Sequence, residues 1–197
     1  MEVGAAQVEF KESLKIRALF DMHIGAAACD EKKLDEDIKE ILNTPDCYTF
    51  IGGDMVDAIL RTDIKRFAAG ITNGEIQEAL DDALNIYVKQ AVKKLKPLAD
   101  AGKILFAIAG NHETSIHKHH SFNIVREVCD RLDVPFMGYS CLYRLTLKKH
   151  NTGSKFNYVL YVHHGFGSGR KKGTSINNLM GLQESFDADC YFMGHDH

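Results

Sequence analysis

The chain has 197 residues, 45% of them hydrophobic and 26% charged, a globular composition that excludes disorder, collagen and coiled coil. Lys and Arg total 24 against 27 Asp and Glu, and the resulting net charge of −3 excludes a generally basic nucleic-acid coat, though not a local basic patch. A chain of this length buries roughly 70% of the surface it exposes when unfolded, so a single domain over 1–197 with one sizeable core is expected.

In chain order, Lys15 to Phe20 reads as a short strand running into Asp21. Asp30 can cap a helix whose apolar face is Leu34, Ile38, Ile41 and Leu42, and Asn43-Thr44-Pro45 stops it. Cys47 to Ile51 is a second strand, ending at Gly52-Gly53. A capping-box spacing at Thr72 and Glu75 opens a helix that buries Ile76, Leu80, Leu84, Val88, Ala91 and Leu95 and ends near Pro97 to Gly102. Ile104 to Ala109 is a third buried strand. Ser121 is placed to cap a further helix through Leu132, with a short strand near Val134 to Phe136. Tyr143 to Leu147 and Phe156 to Val162 alternate with a period of two around Asn151-Thr152-Gly153-Ser154, an antiparallel hairpin. A helix over about Ser175 to Glu184 and a strand over Cys190 to Met193 complete the chain. Strands alternating with helices predict an α/β fold, and the hairpin makes its sheet mixed.

No run of 18 apolar residues is present, and Met1-Glu2-Val3-Gly4 lacks the basic-then-apolar layout of a signal peptide. The five cysteines are scattered and contain no CxxC, which argues against a disulfide framework or a cysteine zinc site. The expected setting is a reducing cytoplasm with no membrane partner.

The informative pattern is where the polar residues fall. Each predicted strand ends in metal-capable side chains: Asp21-Met22-His23, Gly53-Asp54-Met55-Val56-Asp57, Gly110-Asn111-His112-Glu113, His163-His164-Gly165 and Gly194-His195-Asp196-His197. Ligands of open α/β sheets bind beyond the carboxyl ends of the strands, so five clusters aim at one place. Asp, His and Asn without Cys suit Mn²⁺ first, with Fe²⁺ or Zn²⁺ as alternatives. The set is too rich for one ion. Two divalent ions roughly 3.5–4 Å apart, sharing one carboxylate, would use it.

The motifs D-x-H, G-D-x-x-D, G-N-H-E, H-G and G-H-x-H, in that order, resemble the calcineurin-like metallophosphoesterase family over Asp21 to His197. The resemblance implies a four-layer α-β-β-α sandwich in which helices flank a mixed β-sheet sandwich. It also implies hydrolysis of phosphomonoesters or phosphodiesters by a hydroxide bridging the metals. By the family pattern Asp21, His23 and His197 would hold one ion, Asp54 would bridge, and Asn111, His164 and His195 would complete the second. His112 would face the substrate, and Asp57 would orient it. His163 and His164 both remain candidates for the H-G ligand, and the His directly before Gly is preferred. In the family further strands follow the last motif, so a longer native chain is expected.

Two features bear on the substrate. Ala58-Ile59-Leu60 and Thr114-Ser115-Ile116 stand where phosphoprotein phosphatases carry phosphate-holding Arg. The loop Gly165 to Gly173 carries Arg170, Lys171 and Lys172, cations placed to grip phosphate or a nucleic-acid backbone, and its layout resembles phage and DNA-repair-exonuclease phosphoesterases. His117, His119 and His120 read as a solvated loop. The alternative to an enzyme is an inactive binding or adaptor module of the same fold, which would be expected to lose Asp54 or His112; both are present. Oligomeric state has no signature in the sequence.

Overall fold

The computed structural model describes residues 1–27, 29–56, 73–166 and 173–195. Within them the chain is α/β, with two sheets and five helices.

The three-stranded sheet is wholly parallel, with β2 (Lys15–Leu19) and β4 (Ile104–Ile108) flanking β3 (Cys47–Gly52). β4 is buried at every residue and β3 at nearly every one, as strands covered on both faces must be. The crossovers are helical. α1 (Glu31–Asn43) is capped by Asp30, whose Oδ1 accepts from the Lys33 N–H at 2.9 Å, and it buries Leu34, Ile38 and Ile41. At its end Lys103 Nζ donates to Ile41 O (2.8 Å) and Thr44 O (2.9 Å), and also to Cys47 O (3.2 Å) at the start of β3. α2 (Asn73–Asp100) buries Leu84, Val88, Ala91, Leu95 and Leu98 at helical spacing and runs through Pro97.

The four-stranded sheet has the order β1 (Glu2–Phe10), β5 (Ser140–Lys149), β6 (Lys155–His163), β7 (Cys190–Met193). It is mixed: β5 and β6 form the antiparallel hairpin, while β1 pairs with β5 and β7 with β6 in parallel. The two sheets face each other across one apolar layer. Phe50 stacks on Phe106 with ring centroids 5.1 Å apart, and Phe106 meets Tyr143 at 4.3 Å. Val8, Leu145, Leu160 and Val162 fill the same layer. The opposite face of the three-stranded sheet packs on α1, α2 and α4 (Ile124–Leu132).

Three elements differ from the sequence reading. β1 is an extra strand, in parallel register with β5 from Glu2↔Cys141 to Phe10↔Lys149. The segment after β4 is a helix, α3 (Asn111–His120), not a loop. Ser121 therefore ends a helix, with φ 54°, instead of starting one, and Asn123 caps α4 by accepting from the Arg126 N–H at 3.0 Å. The strand expected near Val134 is reduced to a single bridge, Ala107↔Phe136. α5 (Thr174–Ser185) leads to β7. No helix among the described residues is long and apolar enough to cross a membrane.

Strand direction gathers the polar turns. β2, β3 and β4 are parallel, so Asp21, Asp54 and Asn111 leave the same end of their sheet. β6 and β7 finish together, with His163 opposite Met193. The sheets are tied at that end by His164 Nδ1 on Gly52 O (2.9 Å) and by the His195 N–H on Asp21 Oδ2 (3.0 Å).

Candidate metal centre

Two groups of side chains converge beyond these strand ends. Asp21, Asp54, His164 and His195 each offer one ligand atom within 4.8 Å of the others, and His23, Asp54 and His112 do the same. Either group is close enough together to hold a metal ion. Asp54 belongs to both.

The turns that carry these residues are conformationally costly. Asp21 (φ 51°), His23 (φ 46°), Asp54 (φ 46°) and His195 (φ 61°) all lie in the left-handed region. Each costs about 1–3 kcal/mol and persists only where surrounding contacts enforce it, a pattern that gathers at functional sites. Two glycines allow the close approach. A β-carbon at Gly53 (φ 96°) would sit 2.5 Å from His164 Nδ1, and one at Gly110 would overlap the Asp54 carboxylate.

The donor set fits a cation. Asp21 uses Oδ2 to accept from the His195 N–H, and Asp54 uses Oδ1 to accept from the His112 N–H at 3.0 Å. The other oxygen of each, Asp21 Oδ1 and Asp54 Oδ2, is buried with no hydrogen-bond partner among the described residues. A buried carboxylate oxygen left in that state is expensive unless positive charge neutralises it. His164, fully buried, must donate Nδ1–H to Gly52 O, since that carbonyl only accepts. Its Nε2 then faces Asn111 Oδ1 at 2.9 Å and Asp54 Oδ2 at 3.3 Å. Lone pairs converging on one point are satisfied by a proton on Nε2 or by a metal in its place. Fixing a ligating imidazole through Nδ1–H on a carbonyl is also how such rings are oriented.

Titration follows the same geometry. Burial pushes the Asp54 carboxyl up, but the neighbouring His164 imidazole and the His112 N–H outweigh that and leave it below the usual range. Burial likewise pushes His164 down, and Asp54 more than reverses it. A metal ion at that point would take the place of a proton on His164 Nε2.

His112 lies on α3 with its side chain 31% exposed, Nε2 3.9 Å from Asp54 Oδ2 and its ring edge-on to His23 at 5.0 Å. His163 turns away, its Nδ1 accepting from the Gly165 N–H at 2.8 Å and its ring against Phe166, so His164 is the histidine brought to the cluster. The structure groups Asp21 with His164 and His195, and His23 with His112. Asp57, Arg170, Lys171, Lys172 and His197 lie outside the described residues.

Two residues at the site have no role assigned from the sequence: Tyr139, and Glu113, which appears there only as the last residue of G-N-H-E. Tyr139 donates from its hydroxyl to Gly165 O at 2.8 Å and sets its ring against His163 and His164. Burial, with the charges of Asp54, Glu113 and Asp21, pushes its hydroxyl up to about 12, so it stays a donor. Glu113 is buried beneath the cluster, where burial and the Asp54 charge push its carboxyl up to about 7. Compared with protein-family models, with curated proteins and with solved structures, the chain matches none.

Proposed function

We propose that the chain is a dinuclear-metal phosphoester hydrolase of the calcineurin-like metallophosphoesterase class, its facing sheets and flanking helices corresponding to the four-layer sandwich of that class. The observation that carries this reading is Asp54, a fully buried carboxylate common to both ligand groups. Two divalent ions, Mn²⁺ foremost and Fe²⁺ or Zn²⁺ otherwise, would supply an activated water and a clamp on the phosphoryl oxygens. Asp21, Asn111, His164 and His195 would hold one ion, His23 the other with His197, and Asp54 both.

The remaining work falls to this chain's own groups. His112 Nε2 stands at the open side of the cluster, where it can give a proton to the leaving oxygen. Phe50 and Phe106 are buried in the apolar layer between the two sheets, whose strands carry the ligand turns. Tyr139 holds the Gly165 carbonyl and so the start of the basic loop. Arg170, Lys171 and Lys172 would grip a polyanionic substrate there.

The test is a substrate panel with added Mn²⁺: aryl mono- and diesters, cyclic nucleotides, and single- and double-stranded DNA. Metal-dependent turnover of an ester is expected. Two bound ions with no turnover on any member would instead mark a binding module.

A further inference from the structure

The proposed chemistry gives Glu113 no task, yet its carboxylate is among the most deliberately placed groups in the molecule. It is 2% exposed. Oε2 accepts from the Gly110 N–H at 2.8 Å and the Asp54 N–H at 3.1 Å, and Oε1 accepts from the Val56 N–H at 3.0 Å. The Gly110 bond is half of a capping box and needs no explanation beyond α3 itself. The other two cross to the turn after β3, 59 and 57 residues earlier in the chain. In return, Asp54 Oδ1 accepts from the His112 N–H in the first turn of α3. Each turn's carboxylate thus binds the other turn's amides. This lacing holds Asp54 at φ 46° and occupies Oδ1, and Oδ2 faces a histidine of each ligand group, His164 Nε2 at 3.3 Å and His112 Nε2 at 3.9 Å.

We propose that Glu113 is a positioning residue for the metal pair, holding the Asp54 carboxylate in the one orientation that serves both ions; this rests on the dinuclear reading above. The position requires a carboxylate of this length. Glutamine has one acceptor oxygen for three N–H groups, so its amide would face at least one of them donor to donor. Aspartate is one methylene short and cannot reach both turns.

Glu113→Gln and Glu113→Asp would be compared with Lys103→Met, which removes a structural ammonium from the end of the sheet opposite the site. Mn²⁺ binding would be followed by calorimetry, and pairing of the ions by electron paramagnetic resonance. The Glu113 variants are expected to fold, to bind the weaker ion 10–100-fold less tightly, as is usual when a group supporting a ligand is lost, and to lose the wild-type coupled signal. Lys103→Met should keep both properties despite an equal or larger fall in Tm. Wild-type binding and signal in the Glu113 variants would overturn the proposal. So would a parallel loss in Lys103→Met, or failure of both Glu113 variants to fold. A wild-type chain that binds fewer than two ions would overturn the dinuclear reading itself, a separate result.

Discussion

Replacing Asp54 by Asn separates a shared ligand from an ordinary one. Asp54 stands in both ligand groups and Asp21 in one. A ligand that binds only the folded state at 100 times its Kd stabilises that state by about 2.7 kcal/mol, so two ions contribute about 5.4 kcal/mol. At about 2–4 °C per kcal/mol for a domain of this size, Mn²⁺ should raise the Tm of the wild-type chain by roughly 11–22 °C over its metal-free value. Asp21→Asn should keep the ion that His23 and Asp54 hold and show about half that rise. Asp54→Asn should show almost none. Each variant's own chelated sample is its baseline, so any change in metal-free stability cancels. The chain contains no Trp, and far-ultraviolet circular dichroism is the suitable probe. An Asp54→Asn protein that keeps as much of the Mn²⁺-induced rise as Asp21→Asn would refute the shared role.

His112→Ala should keep both ions and lose turnover by about 10²–10⁴, the range for a proton donor; loss of an ion instead would make His112 a ligand beside His23 and Asp54, as their spacing permits. Lys103→Met should cost about 2–3 kcal/mol in urea unfolding, since it strands three carbonyls at the end of α1 and the start of β3, and should leave metal affinity unchanged. Replacing Arg170, Lys171 and Lys172 together by Ala should raise KM for DNA and flatten its salt dependence while barely changing turnover of a small aryl phosphodiester. Equal damage on both substrates across a salt series would remove the loop as a nucleic-acid grip.

The parts of this fold legible in the sequence are those whose burial is local. Ile104 to Ile108 is a continuous apolar run, Cys47 to Gly52 is one broken only by Thr49, and Leu34, Ile38 and Ile41 mark one helix face. β1 was hidden because Gly4, Ala5, Ala6 and Gln7 give it little apolar contrast. It exists through pairing with β5, more than a hundred residues away in the chain. α3 was hidden because Ile116 is its one fully buried apolar side chain, and Gly110 with Glu113 and Thr114 anchors its start instead. Ser121 and Asn123 are both good caps, and only the tertiary end of α3 decides between them. At the site, motif order pointed to the residues that meet beyond the strands. Their division into groups depends on how β7 returns beside β6 and brings His195 to Asp21, which no local pattern encodes. Glu113 had a faint signal: a Glu three residues after a Gly N-cap has acceptor capacity that the helix alone does not use.

Whether one buried aspartate organises two ions is read from the metal stoichiometry of the wild-type chain after reconstitution with Mn²⁺, by elemental analysis with the paramagnetic resonance of the same sample. About two Mn²⁺ per chain with a magnetically coupled signal is the predicted result. One Mn²⁺ per chain, or two without coupling, would contradict it.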